Sequence, residues 1–165
     1  MSDAFHHHAW ASGRLLDVCM ELNGEQLHTA VPGTFGSIIE TLRHMVESDG
    51  WYLSVATGER AHWVATKTMN VSELRATAAS RDGGWASFLA LGPDPDADLH
   101  EVDEEDGFQR HTPVGIQLAQ ALHHGTDHRS QVCTALTALG LEPPKIDVWA
   151  FGADTGRVVE IEPPA

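Results

Sequence analysis

In the last third of the chain the sequence reads Leu122-His123-His124-Gly125-Thr126-Asp127-His128-Arg129-Ser130-Gln131. On a helix, at about 100° per residue, His124 and His128 stand one turn apart on the face that also carries Gln117, Gln131 and Ala135, while His123 points well away. Two imidazoles at i and i+4 form a bidentate clamp suited to zinc, nickel, copper or iron. The same spacing also arises by chance on a surface in a chain holding eleven histidines, so the pair alone leaves both readings open. Beside it runs an apolar stripe of Leu118, Leu122, Val132, Leu136 and Leu139, and a long polar stripe bordering a core is costly to bury without partners. A third nitrogen strengthens the metal reading. His44 sits at the margin of an earlier apolar stripe, flanked by Thr41, Ser48 and Trp51. Bundles build sites from side chains on facing helices, and three nitrogens with one position open is a catalytic metal arrangement. The competing reading of His44 is a hydrogen-bonded core residue.

Other chemistry-bearing residues fit less well. His6, His7 and His8 are consecutive, splay about 100° apart on a helix and cannot chelate one ion well; they read as a helix surface, with one lining a pocket mouth. His28, His62, His100, His111 and His123 lack partners at ligand spacing and read as surface. His44 and Glu47 reverse the Glu-x-x-His order of di-iron bundles, and no second such motif exists, which disfavours a dinuclear carboxylate site. Cys19 and Cys133 read as core fillers. No GxSxG, Walker or GxGxxG pattern is present.

The elements that position these residues are helices. The first spans about Asp3 to Leu22, on a stripe of Phe5, Ala9, Ser12, Leu16, Cys19 and Leu22, with Asn23-Gly24 as its stop. The second runs from Thr34 or Ser37 to Ala56, with Ser37 and Glu40 spaced as a capping box and Thr57-Gly58 as its close. Its core side carries Ile38, Leu42, Met45, Asp49 and Tyr52 or Leu53. Glu59 to Met69 reads as a loop. A third helix starts at Asn70, with Glu73 three residues on and Leu74, Ala78, Trp85, Phe88 and Leu89 along it; Gly83-Gly84 weakens its middle. Asp94 to Asp106 holds eight carboxylates and no lysine or arginine, a solvated connection whose second half forms a hairpin if Asp106-Gly107 turns between Leu99-Val102 and Phe108-His111. The fourth helix opens with Thr112 as cap and Pro113 in the first turn, and ends at Gly140 before Pro143-Pro144. The whole is an all-α chain, a four-helix bundle with a small hairpin or irregular acidic connection between its third and fourth helices.

Composition narrows the partners. A chain of 165 residues, 42% hydrophobic, makes one domain with a sizeable core. Its formal charge of −14, with Lys67 and Lys145 the only lysines, argues against nucleic acid or an anionic membrane. Two cysteines are too few for a disulfide scaffold, no apolar run reaches the length of a membrane span, and the acidic start is unlike a secretory leader. A cytoplasmic location is expected.

The order of segments resembles the DinB-like family of metal-dependent bundle proteins, which includes YfiT-type thiol transferases and mycothiol-dependent isomerases. The matching pieces are Trp10-Ala11 through Arg14-Leu15-Leu16-Asp17, Val31-Pro32-Gly33-Thr34 leading to Thr41-Leu42-Arg43-His44, and Trp51-Tyr52-Leu53. Thr112-Pro113 and His124-x-x-x-His128-Arg129-x-Gln131 complete the set. The resemblance implies a divalent metal, zinc or nickel first, held by His44, His124 and His128. It implies structural or supporting roles for Arg129 and Gln131, low-molecular-weight thiols as co-substrates, and frequently a homodimer. Departures are Asp127, where many relatives have histidine, and Ser130, where they have glycine; Asp127 reads as facing solvent.

Two functions are thereby expected. One is a metal-dependent enzyme of transferase, isomerase or hydrolase type, working with a small thiol or on a small electrophile, with Trp10 and Trp51 walling an apolar pocket. The other is a non-catalytic, metal-stabilised, stress-related module, which the lack of an obvious general base beyond Glu47 or Asp127 supports. A homodimer is expected from helix one, where Phe5 at the start of the stripe and Trp10, Leu15 and Val18 beside it offer more apolar surface than a monomer needs to expose.

Overall fold

The computed structural model describes residues 1–102, 107–159 and 161. Three long helices carry the architecture: α1 (Ser2–Cys19), α3 (Ile38–Thr57) and α6 (Val114–Ala138). Around them sit the short α2 (Gly24–Leu27), the consecutive pair α4 (Val71–Ala79) and α5 (Asp82–Ala90), the hairpin strands β1 (Asp98–Val102) and β2 (Gln109–Pro113), and α7 (Val148–Asp154). The chain is thus mainly helical, with one two-stranded antiparallel sheet. Among the described residues no helix is long and apolar enough to cross a membrane.

Local sequence sets most helix ends. Ser37 accepts from the Glu40 N–H while the Glu40 carboxylate accepts from the Ser37 N–H at 2.8 Å, and Gly58 closes α3 in the left-handed region at φ +73°. Asn70 and Glu73 make the same reciprocal cap on α4. The expected stop at Asn23-Gly24 is different. Helix α1 ends at Cys19 with Met20 still right-handed, and Asn23 instead starts α2, its side chain accepting from the Gln26 N–H. Asparagine suits either end of a helix, and the orphan amide of α2 is the partner within its reach.

Two other boundaries differ from expectation for long-range reasons. The helix beginning at Asn70 divides at Ser80–Arg81, ahead of Gly83-Gly84, which are both helical. The break turns Arg81 inward, where its Nη1 donates to the Val46 carbonyl at 2.6 Å and the residue is only 5% exposed. Gly50 leaves the space: a Cβ there would lie 2.5 Å from the Arg81 Cζ. Helix α6 begins after Pro113, and Thr112 lies in β2 rather than capping. The first free amides of α6 are satisfied by the preceding loop, Val114 N–H donating to the Ala97 carbonyl and Gly115 N–H to that of Pro95. The hairpin forms as expected, with His100 opposite His111 and Glu101 opposite Arg110; Asp103 to Asp106, including the first residue of the expected turn, lie outside the described residues.

Helix α3 packs along α6, and α1 touches α4, α5, α6 and α7. One apolar cluster gathers Leu15, Leu16, Leu42, Leu74, Val132 and Leu136; the other gathers Phe5, Leu53, Trp85, Phe88, Leu118 and Ala121. Being surrounded on several sides, α1 buries more than one stripe. Phe5 is 2% and Leu15 0% exposed, and Trp10 is held by α7, its Nε1 donating to Asp154 Oδ2 at 2.8 Å with Phe151 edge-on at 5.6 Å. The surplus apolar face from which a homodimer was expected is therefore largely internal packing.

Candidate metal centre

His44 projects from α3, and His124 and His128 from α6, into the seam between these two helices. The Nε2 of His124 lies 3.0 Å from that of His44 and 3.1 Å from that of His128. One ring nitrogen from each of the three falls within 4.8 Å of the others, the one such ligand group of three or more among the described residues. Nitrogens bound tetrahedrally to zinc at about 2.0–2.1 Å stand ~3.3 Å apart, so the cluster is near the size a single divalent ion needs. His128 is buried and the other two are half-buried.

The protonation state suits the same role. A backbone N–H can only donate, so the atom 2.9 Å from the Phe35 N–H must be the carbonyl oxygen of the Gln131 amide. The same Oε1 lies 3.1 Å from His128 Nδ1, which must therefore carry the ring proton. In the neutral ring this places the lone pair of His128 on Nε2, facing the other histidines. Burial, then the neighbouring His128 and His44, hold His124 down to about 4, and burial followed by His128 keeps His44 below its ordinary value. Neutral imidazoles need no deprotonation before they bind a metal. Without a cation, three converging nitrogens can share at most one or two protons; a divalent ion satisfies all three lone pairs together.

Aromatic rings enclose the cluster. Phe35 stacks on His44 at 4.1 Å with 11° between planes and meets His128 edge-on at 5.5 Å. Tyr52 stands edge-on to His124 at 5.3 Å. Neither is a tryptophan expected to wall the pocket: Trp10 lies against α7, and Trp51 lines a neighbouring cavity. That cavity, of about 320 Å3, lies between the hairpin and the α3–α6 seam and is lined by Trp51, Tyr52, Glu101, Arg110, Ile116 and Gln117 among others. Tyr52 is shared with the histidine cluster, and its hydroxyl accepts from Gln120 Nε2 at 3.1 Å.

The candidate bases are placed elsewhere. Glu47 accepts from the Thr66 N–H at 3.2 Å and hydroxyl at 2.8 Å, which ties the 59–69 loop to α3. Asp127 is exposed, as expected, as are His28, His100, His111 and His123; His62 is half-buried beside Glu59. Burial pushes the Cys19 thiol up to about 12 and raises Cys133, so neither is a ready thiolate.

The expected surface triplet contains the main surprise. His8 is 4% exposed, its Nε2 donating to Asp49 Oδ1 at 3.0 Å and its Nδ1 accepting from Arg129 Nη1 at 3.2 Å. Trp85 Nε1 donates to the same Asp49 oxygen at 3.1 Å, and Arg129 also donates to Ser12 and Thr126. Gly125 makes room, since a Cβ there would come 2.3 Å from His8 Cε1. Both ring nitrogens of His8 are committed, so this is a polar layer between the two apolar clusters and not a reactive pair. His7 is partly buried, bonded to the Ile146 carbonyl at 2.8 Å; of the three only His6 is exposed. The interior polar positions on α1, α3 and α6 were legible only as single residues.

A search among curated proteins gives no match. A family model does match, and its span takes in all three histidines, the glycines that make room for Arg81 and His8, and every helix from α1 to α7. Covering residues 1–158, it shows that this chain belongs to the DinB family.

Proposed function

We propose that His44, His124 and His128 hold one divalent ion, zinc or nickel first, through Nε2, within a four-helix-bundle arrangement in which the α4–α5 pair takes the third helix position. The observation that carries this is the convergence of three Nε2 atoms at one point of the α3–α6 seam, with the Nδ1–H of His128 turned away onto Gln131. His44, His124 and His128 would hold such an ion, and the chemistry it would supply there is Lewis acidity toward a small oxygen or sulfur nucleophile. The chain's part is to orient and enclose. Phe35 and Tyr52 exclude water from two sides of the cluster, and the adjoining cavity is large enough for a small organic molecule. Trp51 and Ile116 give it apolar surface; Gln117, Gln120 and the Glu101–Arg110 pair give it hydrogen-bonding groups. This suits a metal-dependent enzyme acting with a small thiol or on a small electrophile.

One observation favours the alternative, a metal-stabilised module without catalysis: Glu47 is committed to Thr66, and Asp127 faces solvent. Spectroscopy of the cobalt-substituted protein separates the two. Added small thiols should change the ligand-field bands and introduce sulfur-to-cobalt charge transfer. Bands that stay unchanged over a wide thiol range would favour the structural role.

A further inference from the structure

One oxygen, Gln131 Oε1, accepts from both the His128 Nδ1–H and the Phe35 backbone N–H, at 3.1 and 2.9 Å. These donors belong to different parts of the site. His128 is a ligand candidate on α6, whereas Phe35 sits in the turn before α3 and covers His44 with its ring. We propose that Gln131 is a positioning residue that couples the two, so that a metal on the histidines also fixes the Phe35 turn over the site. This rests on the metal reading above.

A carbonyl oxygen has two lone pairs and can accept both bonds at once. Withdrawal of electron density from His128 Nε2 makes its Nδ1–H a stronger donor, as with other metal-bound imidazoles whose second nitrogen is hydrogen-bonded. The side-chain position that shortens this bond is the same one that holds the Phe35 amide, so the turn gains order with the ligand. Phe35 then adds its own contacts, flat against His44 and edge-on to His128. The residue is nevertheless 56% exposed, and the turn lies between Gly33, at φ +89°, and Gly36. Thr34 and the Ala30–Ser37 bridge hold the base of the turn, the Thr34 hydroxyl standing 2.8 Å from the Val31 carbonyl and 2.9 Å from that of Gly36, while the Phe35 amide and ring are held by the Gln131 bond and the histidine contacts.

The acceptor, and not the bulk of the side chain, is what the role requires. Gln131→Leu removes it at nearly the same volume, and Gln131→Glu keeps it. Zinc affinity should fall ~10–100-fold in Gln131→Leu and stay within a few-fold of the parent in Gln131→Glu. Nitrogen-15 spectra of the metal-free proteins should show the Nδ1–H form of His128 in the parent and Gln131→Glu, shifting toward Nε2–H in Gln131→Leu. Hydrogen exchange at the Phe35 amide should slow on zinc addition in the first two proteins only. Unchanged zinc affinity in Gln131→Leu, equal losses in both variants, or a parent His128 in the Nε2–H form would each overturn the proposal. A parent that binds no zinc would overturn the coupling together with the metal reading. If zinc binds but Phe35 exchange ignores it, the coupling alone fails.

Discussion

Replacing His44 or His128 by alanine is expected to weaken divalent-metal binding by two to three orders of magnitude. Zinc held by four ligands in small domains gains about 10–16 kcal/mol, or about 2.5–4 kcal/mol per ligand, and each 1.4 kcal/mol is roughly tenfold. His123→Ala and His7→Ala provide the controls. His123 is exposed beside the pair, and His7 spends its nitrogen on the Ile146 carbonyl. Both should bind as the parent does in competition with a chromophoric chelator. Equal losses in all four variants would mean that dispersed histidines, and not the cluster, were taking up the metal.

A comparably large effect is expected in the buried polar layer. Asp49→Ala should destabilise the fold by about 3–5 kcal/mol, because it leaves buried cationic and polar partners without their anion. Burial alone would raise the Asp49 carboxyl, but His8, Trp85 and Arg81 together hold it below its ordinary value. Arg129, brought down to about 10 by burial, is still charged at neutral pH and faces the same layer. The loss is a large part of the ~5–15 kcal/mol of a typical domain, so the thermal midpoint should fall on the order of 10 °C. The pH dependence has a definite sign. A carboxyl whose folded pKa is depressed contributes its stability above the unfolded value, near 3.8, and loses it as pH falls through the folded value. Urea titrations should therefore separate parent from variant at neutral pH and bring them together in strong acid. A difference below about 1 kcal/mol at neutral pH would show that the layer is not held by Asp49.

What was legible in the sequence was what short range decides. Ser37 with Glu40 and Asn70 with Glu73 each place cap and partner three residues apart, and both caps form. The i, i+4 geometry of His124 and His128 follows from one helix, and His44 was reachable because bundles pair faces. The interior polar layer was not legible, because its bonds join positions far apart: His8 to Asp49 across 41 residues, and to Arg129 across 121. Without those partners a histidine in a run of three reads as surface. Helix α1 misled for a related reason, since a helix packed on several sides has no single stripe. Phe35 carried no periodic signal at all, being one aromatic residue between two glycines; only the fold shows that its ring lies on His44. Trp10 and Trp51 were the more visible aromatics, and tertiary packing gave the place beside the histidines to Phe35 and Tyr52.

Metal binding by the three histidines underlies both the site's chemistry and the Phe35 coupling. Elemental analysis tests it most directly, on protein prepared without an affinity metal and then equilibrated with limiting zinc or nickel before gel filtration. One divalent ion per chain should be retained through the column and lost in His44→Ala and His128→Ala. Substoichiometric metal that added zinc or nickel cannot restore would contradict it.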